Sequence, residues 1–316
     1  MNTFAGKSIL TIDAHTHVFE KVKGFRFGGV PVMPLCAGKV KVGDEIIEFA
    51  DPAFNDLSSL IEVYMAHMEK NGIDKAVLLQ TPCYGPQYDY IDEIRKRNPH
   101  KFQTVGLADP RDKEKYITAV KHVVRERGYF GIKFEIPDTP FDMDAKEYEY
   151  VWETIIDNDT FIIIDLGWNN GPYDFLIDKM TTVVKRYPDM KIVLPHLGVS
   201  HFWDPNERPD YPGLRKTLAL VQYSKENLWF DVAGIPMLMR KFAEYPYPQA
   251  LEILRLVQKT IGLNHVMWGT DYPCVTEPCT YRQALTMYLN YCDFLSGDEV
   301  AKFFGETANA LYFGGK

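Results

Sequence analysis

Residues 9–17 read Ile9-Leu10-Thr11-Ile12-Asp13-Ala14-His15-Thr16-His17. The first six, Ile9 to Ala14, form a short apolar run of the kind that makes a buried strand, and the run ends in a His-Thr-His triplet. A nucleotide-binding open sheet would place a glycine-rich turn after its first strand. Asp13-Ala14-His15-Thr16-His17 stands there instead, which counts against that version of an α/β fold without excluding an open sheet as such.

Seven more runs of the same character follow: Lys75 to Gln80, Gln103 to Leu107, Tyr129 to Phe134, Phe161 to Leu166, Lys191 to Pro195, Leu228 to Val232 and His265 to Trp268. Most are apolar on both faces and rich in β-branched and aromatic residues, as parallel strands covered on both sides are. From the second strand on they start about 25 to 40 residues apart, room for one helix and two loops per unit. Eight such units in series predict a (β/α)₈ TIM barrel, one catalytic domain over residues 1–316. Asp56 is expected to cap a first helix carrying Leu57, Leu60, Ile61, Tyr64, Met65 and Met68 on one face, ended by Asn71-Gly72. Arg282 to Cys292 and Asp298 to Phe304 read as terminal helices.

One interval departs from this rhythm. About 60 residues separate the first two strands, long for a βα connection. Within it, residues 20–53 hold a Gly-Gly pair, several prolines and the alternating stretch Lys39 to Ile47 with Gly43-Asp44 at its centre. That pattern predicts an inserted β-hairpin-like segment above the catalytic face, either a cap over the substrate or a surface elaboration.

Composition excludes several classes. The 316 residues are 46% apolar and 25% charged, enough for a large core and too apolar for a disordered chain. Net charge is −8 with no basic run, so no nucleic-acid partner is expected. No apolar stretch approaches the ~20 residues that span a bilayer, and the polar start, Met1 to Lys7, has no signal-peptide core. The five cysteines fall at irregular spacings, consistent with reduced thiols. A cytoplasmic protein with no membrane partner is expected.

Polar residues at the strand ends carry the chemistry. On a strand, residues two apart point to the same side, so His15 and His17 can face one cavity as ligands for zinc or another divalent metal, or as donors to a carboxylate. A chance His-x-His occurs in about one such sequence in five; its place at the C-terminal end of a barrel strand is what gives it weight. Asp271, in Trp268-Gly269-Thr270-Asp271-Tyr272-Pro273, closes the eighth strand and can grip a metal or take a proton from water. His196 closes the sixth in Leu194-Pro195-His196-Leu197-Gly198.

Asp-Ala-His-Thr-His at strand one, Pro-His-Leu-Gly at strand six and Trp-Gly-Thr-Asp-Tyr-Pro at strand eight together resemble the amidohydrolase-related family. The likeness is to the branch of the aminocarboxymuconate-semialdehyde and dihydroxybenzoate-type decarboxylases and the 2-pyrone-4,6-dicarboxylate lactonases. It spans nearly the whole chain and includes Gly305 to Phe313, similar to the family's closing helix. The resemblance implies that His15, His17 and Asp271 bind a divalent metal, zinc or manganese, or the substrate, and that Asp271 and His196 are catalytic. Decarboxylases of the branch carry a further metal-binding His at the end of strand five. Here that strand reads Phe161-Ile162-Ile163-Ile164-Asp165-Leu166-Gly167-Trp168, so Asp165 replaces the histidine as an oxygen ligand, or metal is held weakly or not at all. The lactonase branch also tends to lack that histidine, and a metal-free mechanism stays open.

Strand four ends Gly131-Ile132-Lys133-Phe134-Glu135. Lys133 suits a substrate carboxylate, or else a structural pair with Glu135 or Asp165. Tyr84, Gln87, Asp109, Arg111, Trp168, Asn169, His201 and Trp203 fall on loops of the catalytic face; of these Tyr84, Trp168 and His201 are expected to line the substrate. His67, His100 and His122 read as surface residues. These features point first to hydrolysis of a small carboxylated cyclic ester, a lactone, and second to non-oxidative decarboxylation of an aromatic or dienoic acid. A barrel kept only for binding is disfavoured by polar groups at four strand ends. The family's barrels often pair as homodimers, and no stretch of this sequence marks an interface.

Overall fold

The computed structural model describes residues 2–167, 176–198 and 208–314. Its central sheet has eight parallel strands in chain order: β1 (Ile12–Thr16), β2 (Lys75–Leu79), β3 (Phe102–Leu107), β4 (Gly131–Glu135), β5 (Phe161–Asp165), β6 (Lys191–Leu194), β7 (Leu228–Asp231) and β8 (Val266–Met267). Each overlaps one of the eight apolar runs, although the first strand starts at Ile12 and runs on to Thr16, while Ile9 ends a separate antiparallel pair with Asn2–Phe4. The last strand returns to the first: Ala14 N donates to Trp268 O at 3.1 Å, Asp271 N to His15 O at 2.8 Å and His17 N to Tyr272 O at 2.8 Å. The sheet thus closes as a (β/α)₈ barrel.

Runs apolar on both faces are needed because each strand has two dry sides. On β5, Ile163 joins Val77, Val105, Val193 and Met267 inside the barrel, while Ile162 and Ile164 pack in the outer cluster with the helices. Ala308 and Tyr312 of the last helix, Thr307–Phe313, complete the inner cluster. Tyr312 O accepts from Gln103 near the start of β3, so this helix plugs the end where the strands begin and leaves the opposite end for the polar groups.

The first outer helix runs Ile61–Asn71 and stops at Gly72, whose φ of 65° suits the left-handed turn that glycine takes without a Cβ penalty. It begins later than the periodicity suggests. Asp56 does not cap it; its carboxylate holds the Ser58 N–H and hydroxyl in a separate turn. Leu57 is buried in the core of the inserted segment instead of on the helix face.

That segment is larger than a hairpin. Phe25–Arg26, Val30–Pro34, Lys39–Val42 and Glu45–Glu48 form a four-stranded antiparallel sheet, with the turn at Gly43-Asp44 as expected. Its alternation buries Val32, Val40 and Val42 against Phe19, Cys83, Tyr84 and Cys274. Backbone bonds from Lys23 to Tyr84, Phe25 to Pro82 and Gly28 to Asp138 fasten it to the loops after β2 and β4. Among the described residues no helix is long and apolar enough to cross a membrane.

Candidate active site

Strict alternation along β1 would put Asp13, His15 and His17 on one side. The pairing to β2 advances Ile12↔Lys75, Asp13↔Ala76, then Thr16↔Leu78, so β1 spends three steps where β2 spends two. This bulge re-aims the side chains. Asp13 faces outward and is held by Tyr64, Tyr281 and Thr270, whereas His15 and His17 both turn into the barrel mouth.

There they meet Asp271. His15 Nε2 lies 3.2 Å from His17 Nε2, His17 Nε2 lies 3.1 Å from Asp271 Oδ1, and His15 Nε2 lies 3.7 Å from the same oxygen. Both imidazoles are fixed from behind: His15 Nδ1 donates to Asp231 Oδ2 at 3.0 Å and His17 Nδ1 to the Leu79 carbonyl at 2.7 Å. Those acceptors have no proton to give, so each Nδ1 carries the hydrogen and each Nε2 presents a lone pair. Burial pulls the His15 pKa down to about 4 against the pull of Asp231, which keeps the ring neutral at pH 7. Burial also raises Asp271, but the pull of His15, His17 and His196 around it holds it well below the usual carboxylate range. Three electron-pair donors therefore face one another at 3.1–3.7 Å. Donors bonded at about 2.0–2.2 Å to a single ion sit about 3.0–3.6 Å apart, so the residues fit a divalent metal. A second cluster, His15, His196 and Asp231, also brings donor atoms close. It does not fit a metal, because His15 Nδ1 already gives its proton to Asp231.

Asp231, at the end of β7, is absent from the sequence-derived site, yet it organises two members of it. One oxygen fixes His15, and the other accepts from His196 N and Ala233 N, each at 3.0 Å. It sits at a strand end just as Asp271 does, in Phe230-Asp231-Val232, so the same rule could have found it. His196 follows β6 with φ 55° and Leu197 with φ 55°, a left-handed conformation costing about 1–3 kcal/mol per non-glycine residue. Its Nδ1 donates to the Ala233 carbonyl at 2.8 Å, and its Nε2 is 3.6 Å from Asp165 Oδ2. Asp165 is thus placed against His196; it joins neither cluster of donor atoms lying within 4.8 Å of one another.

Lys133 is 1% exposed; its Nζ is 3.2 Å from Glu135 Oε1 and 3.5 Å from His15 Nε2. Of the two structural pairings open to it, the structure shows the one with Glu135, and the ammonium stands at the edge of the triad. Behind Glu135, Asp138 accepts from Arg26 Nε of the inserted sheet at 2.8 Å and from Phe27 N at 3.0 Å. Burial pushes Asp138 up to about 7, with Glu135 adding to the rise and Arg26 opposing it. An acid whose folded pKa exceeds its unfolded value holds its proton more tightly when folded. Its stabilising contribution is present below about pH 4 and is lost as pH rises through about 7. Asp138→Asn, neutral at every pH, is expected to gain melting temperature relative to wild type from pH 5 to pH 8; parallel curves would rule this out.

Tyr84 is buried, with its ring 5.1 Å from that of His17 and its hydroxyl 3.1 Å from Cys274 Sγ. It lines the site, but its hydroxyl is engaged. Gln87 braces the loop after β2 by bonds to Gln80, Lys21 and Tyr84, and Arg111, paired with Asp109, donates to Gly28 O of the insertion. His67 is not simply a surface residue: it stacks on Tyr281 at 5.4 Å. Trp168, Asn169, His201 and Trp203 lie outside the described residues.

No match to a curated protein was found. Among solved structures, the chain is similar to a probable 2-pyrone-4,6-dicarboxylic acid hydrolase from Acinetobacter baumannii with citric acid bound (13% identity, TM-score 0.68, 96% of this chain and 99% of that one). It is similar to an amidohydrolase from Burkholderia multivorans with bound zinc (14%, 0.66, 96% and 99%). A third likeness is to 5-carboxyvanillate decarboxylase from Sphingomonas paucimobilis (18%, 0.60, 81% and 84%). At these identities the likeness speaks to the fold. The sequence profile described as amidohydrolase matches residues 12–314, from the first barrel strand to the closing helix, and with it the chain belongs to the amidohydrolase family, a family of enzymes.

Proposed function

We propose that this enzyme hydrolyses a small carboxylated lactone, with one divalent metal, zinc or manganese, held by His15, His17 and Asp271. The observation that carries this reading is the triad of proton-free donors with the Lys133 ammonium 3.5 Å from one of them. When bound, the metal would polarise the ester carbonyl and make water more acidic. Asp271 takes the proton of the attacking water. His196, its Nε2 lone pair set by the bond from Nδ1 to Ala233, accepts that proton from Asp271 and passes it to the leaving alkoxide beside Asp165. Lys133 holds the substrate carboxylate, with Glu135 keeping it charged, and Tyr84 lines the site beside His17. Strand five offers Asp165 to His196 and no histidine to the triad, which favours hydrolysis over decarboxylation.

The test is a panel of carboxylated lactones beside a panel of hydroxybenzoates, following acid release and carbon dioxide in parallel. Ring opening is expected; carbon dioxide release without ring opening would overturn the proposal in favour of a decarboxylase. Chelation is expected to abolish turnover and added zinc or manganese to restore it. Asp231→Asn is expected to weaken metal binding by about 10–100-fold, since it unsettles the tautomer of His15; metal affinity read by calorimetry checks this.

A further inference from the structure

The barrel closes along one seam, and each residue of Trp268-Gly269-Thr270-Asp271-Tyr272 has a task in it. Trp268 O accepts from Ala14 N, Asp271 N donates to His15 O, and Tyr272 O accepts from His17 N. Gly269 admits the backbone of β1: a Cβ there would lie 3.0 Å from both His15 N and His15 Cβ. Thr270 reaches across to Asp13, its N–H donating to Oδ1 at 2.9 Å and its hydroxyl to Oδ2 at 2.6 Å. Asp13 is wholly buried and also takes the hydroxyls of Tyr64 at 3.0 Å and Tyr281 at 2.8 Å. One outward-facing carboxylate thus ties β1 to the segment after β8 and to the helices Ile61–Asn71 and Tyr281–Tyr291.

We propose that Asp13, clamped by Thr270, is a positioning residue that sets the separation of His15 and His17 from Asp271 by fixing the register of the β1–β8 seam. The donor atoms of the triad come from two segments some 250 residues apart in sequence, and Asp271, at φ 62°, holds a backbone conformation that its neighbours must maintain. The bulge lets Asp13 do this from behind, touching neither metal nor substrate. The inference rests on the reading of the triad as a metal site.

The experiment compares wild type, Asp13→Asn, Thr270→Val, Thr270→Ser and, as a control for lost stability, Ile253→Val in the distant helix Pro248–Ile261. Zinc affinity of chelator-stripped protein and amide exchange in peptides covering residues 12–18 and 266–273 are measured for each. Asp13→Asn and Thr270→Val are expected to weaken zinc binding about tenfold or more and to speed exchange in both peptides. Thr270→Ser, which keeps the hydroxyl, and Ile253→Val are expected to stay within about twofold of wild type. Should Asp13→Asn fail to fold, Thr270→Val carries the comparison alone. Unchanged zinc affinity and exchange in Asp13→Asn and Thr270→Val, or an equal loss in Ile253→Val, would overturn the clamp. If wild type takes up neither zinc nor manganese, the metal reading fails, and seam exchange alone decides on the clamp.

Discussion

Asp271→Asn is expected to lower kcat/KM by about 10³-fold or more while leaving the melting temperature near that of wild type. The side chains have the same shape, and asparagine accepts the left-handed backbone at φ 62° as readily as aspartate. The bond from residue 271 N to His15 O is a backbone bond and survives. The amide can also donate to the lone pairs at His15 and His17, easing the repulsion among three proton-free donors. What disappears is the negative charge that grips a cation and accepts the proton of water. Metal content, turnover and thermal unfolding measured on one preparation check the prediction; a folded variant with near wild-type turnover would remove Asp271 from the mechanism.

Lys133→Met should cost about 3–5 kcal/mol of stability as well as substrate binding. Methionine fills the volume but leaves the Glu135 carboxylate, 7% exposed, without the ammonium at 3.2 Å. Glu135 would then recover its neutral form at higher pH, so the penalty is expected to shrink as pH falls toward 5. The double variant Lys133→Met/Glu135→Gln removes the unpaired charge and is expected to regain stability but not activity. Denaturant unfolding of both variants separates the two effects. Equal losses in the single and double variants would mean that packing, and not charge, dominates at this position.

Much of the architecture was legible because it is local. Each barrel strand announces itself as a short run apolar on both faces, Gly72 ends the first outer helix through its own backbone freedom, and Gly43-Asp44 turns the inserted sheet. The strand-end rule likewise picked out His15, His17, His196 and Asp271, and applied to Leu228–Asp231 it would have picked out Asp231. Where local patterning competes with packing, the reading failed. Asp56 is a plausible cap by residue type, but Leu57 is drawn into the core of the insertion, and the helix starts at Ile61.

The order of the strands, the insertion and the residue types of the site were determined by the sequence alone, since hydrophobic period and turn chemistry act over a few residues. Tertiary structure decided which of those groups meet. Alternation alone cannot show the bulge that turns Asp13 outward and His15 inward; it arises from the register of β1 against β2. Nor does composition reveal that His15 is oriented by Asp231, 216 residues away, or that Thr270 clamps Asp13 across 257 residues. Such partners are chosen by barrel closure, which brings the ends of the chain together and leaves buried donors and acceptors to be satisfied by whatever lies across the seam.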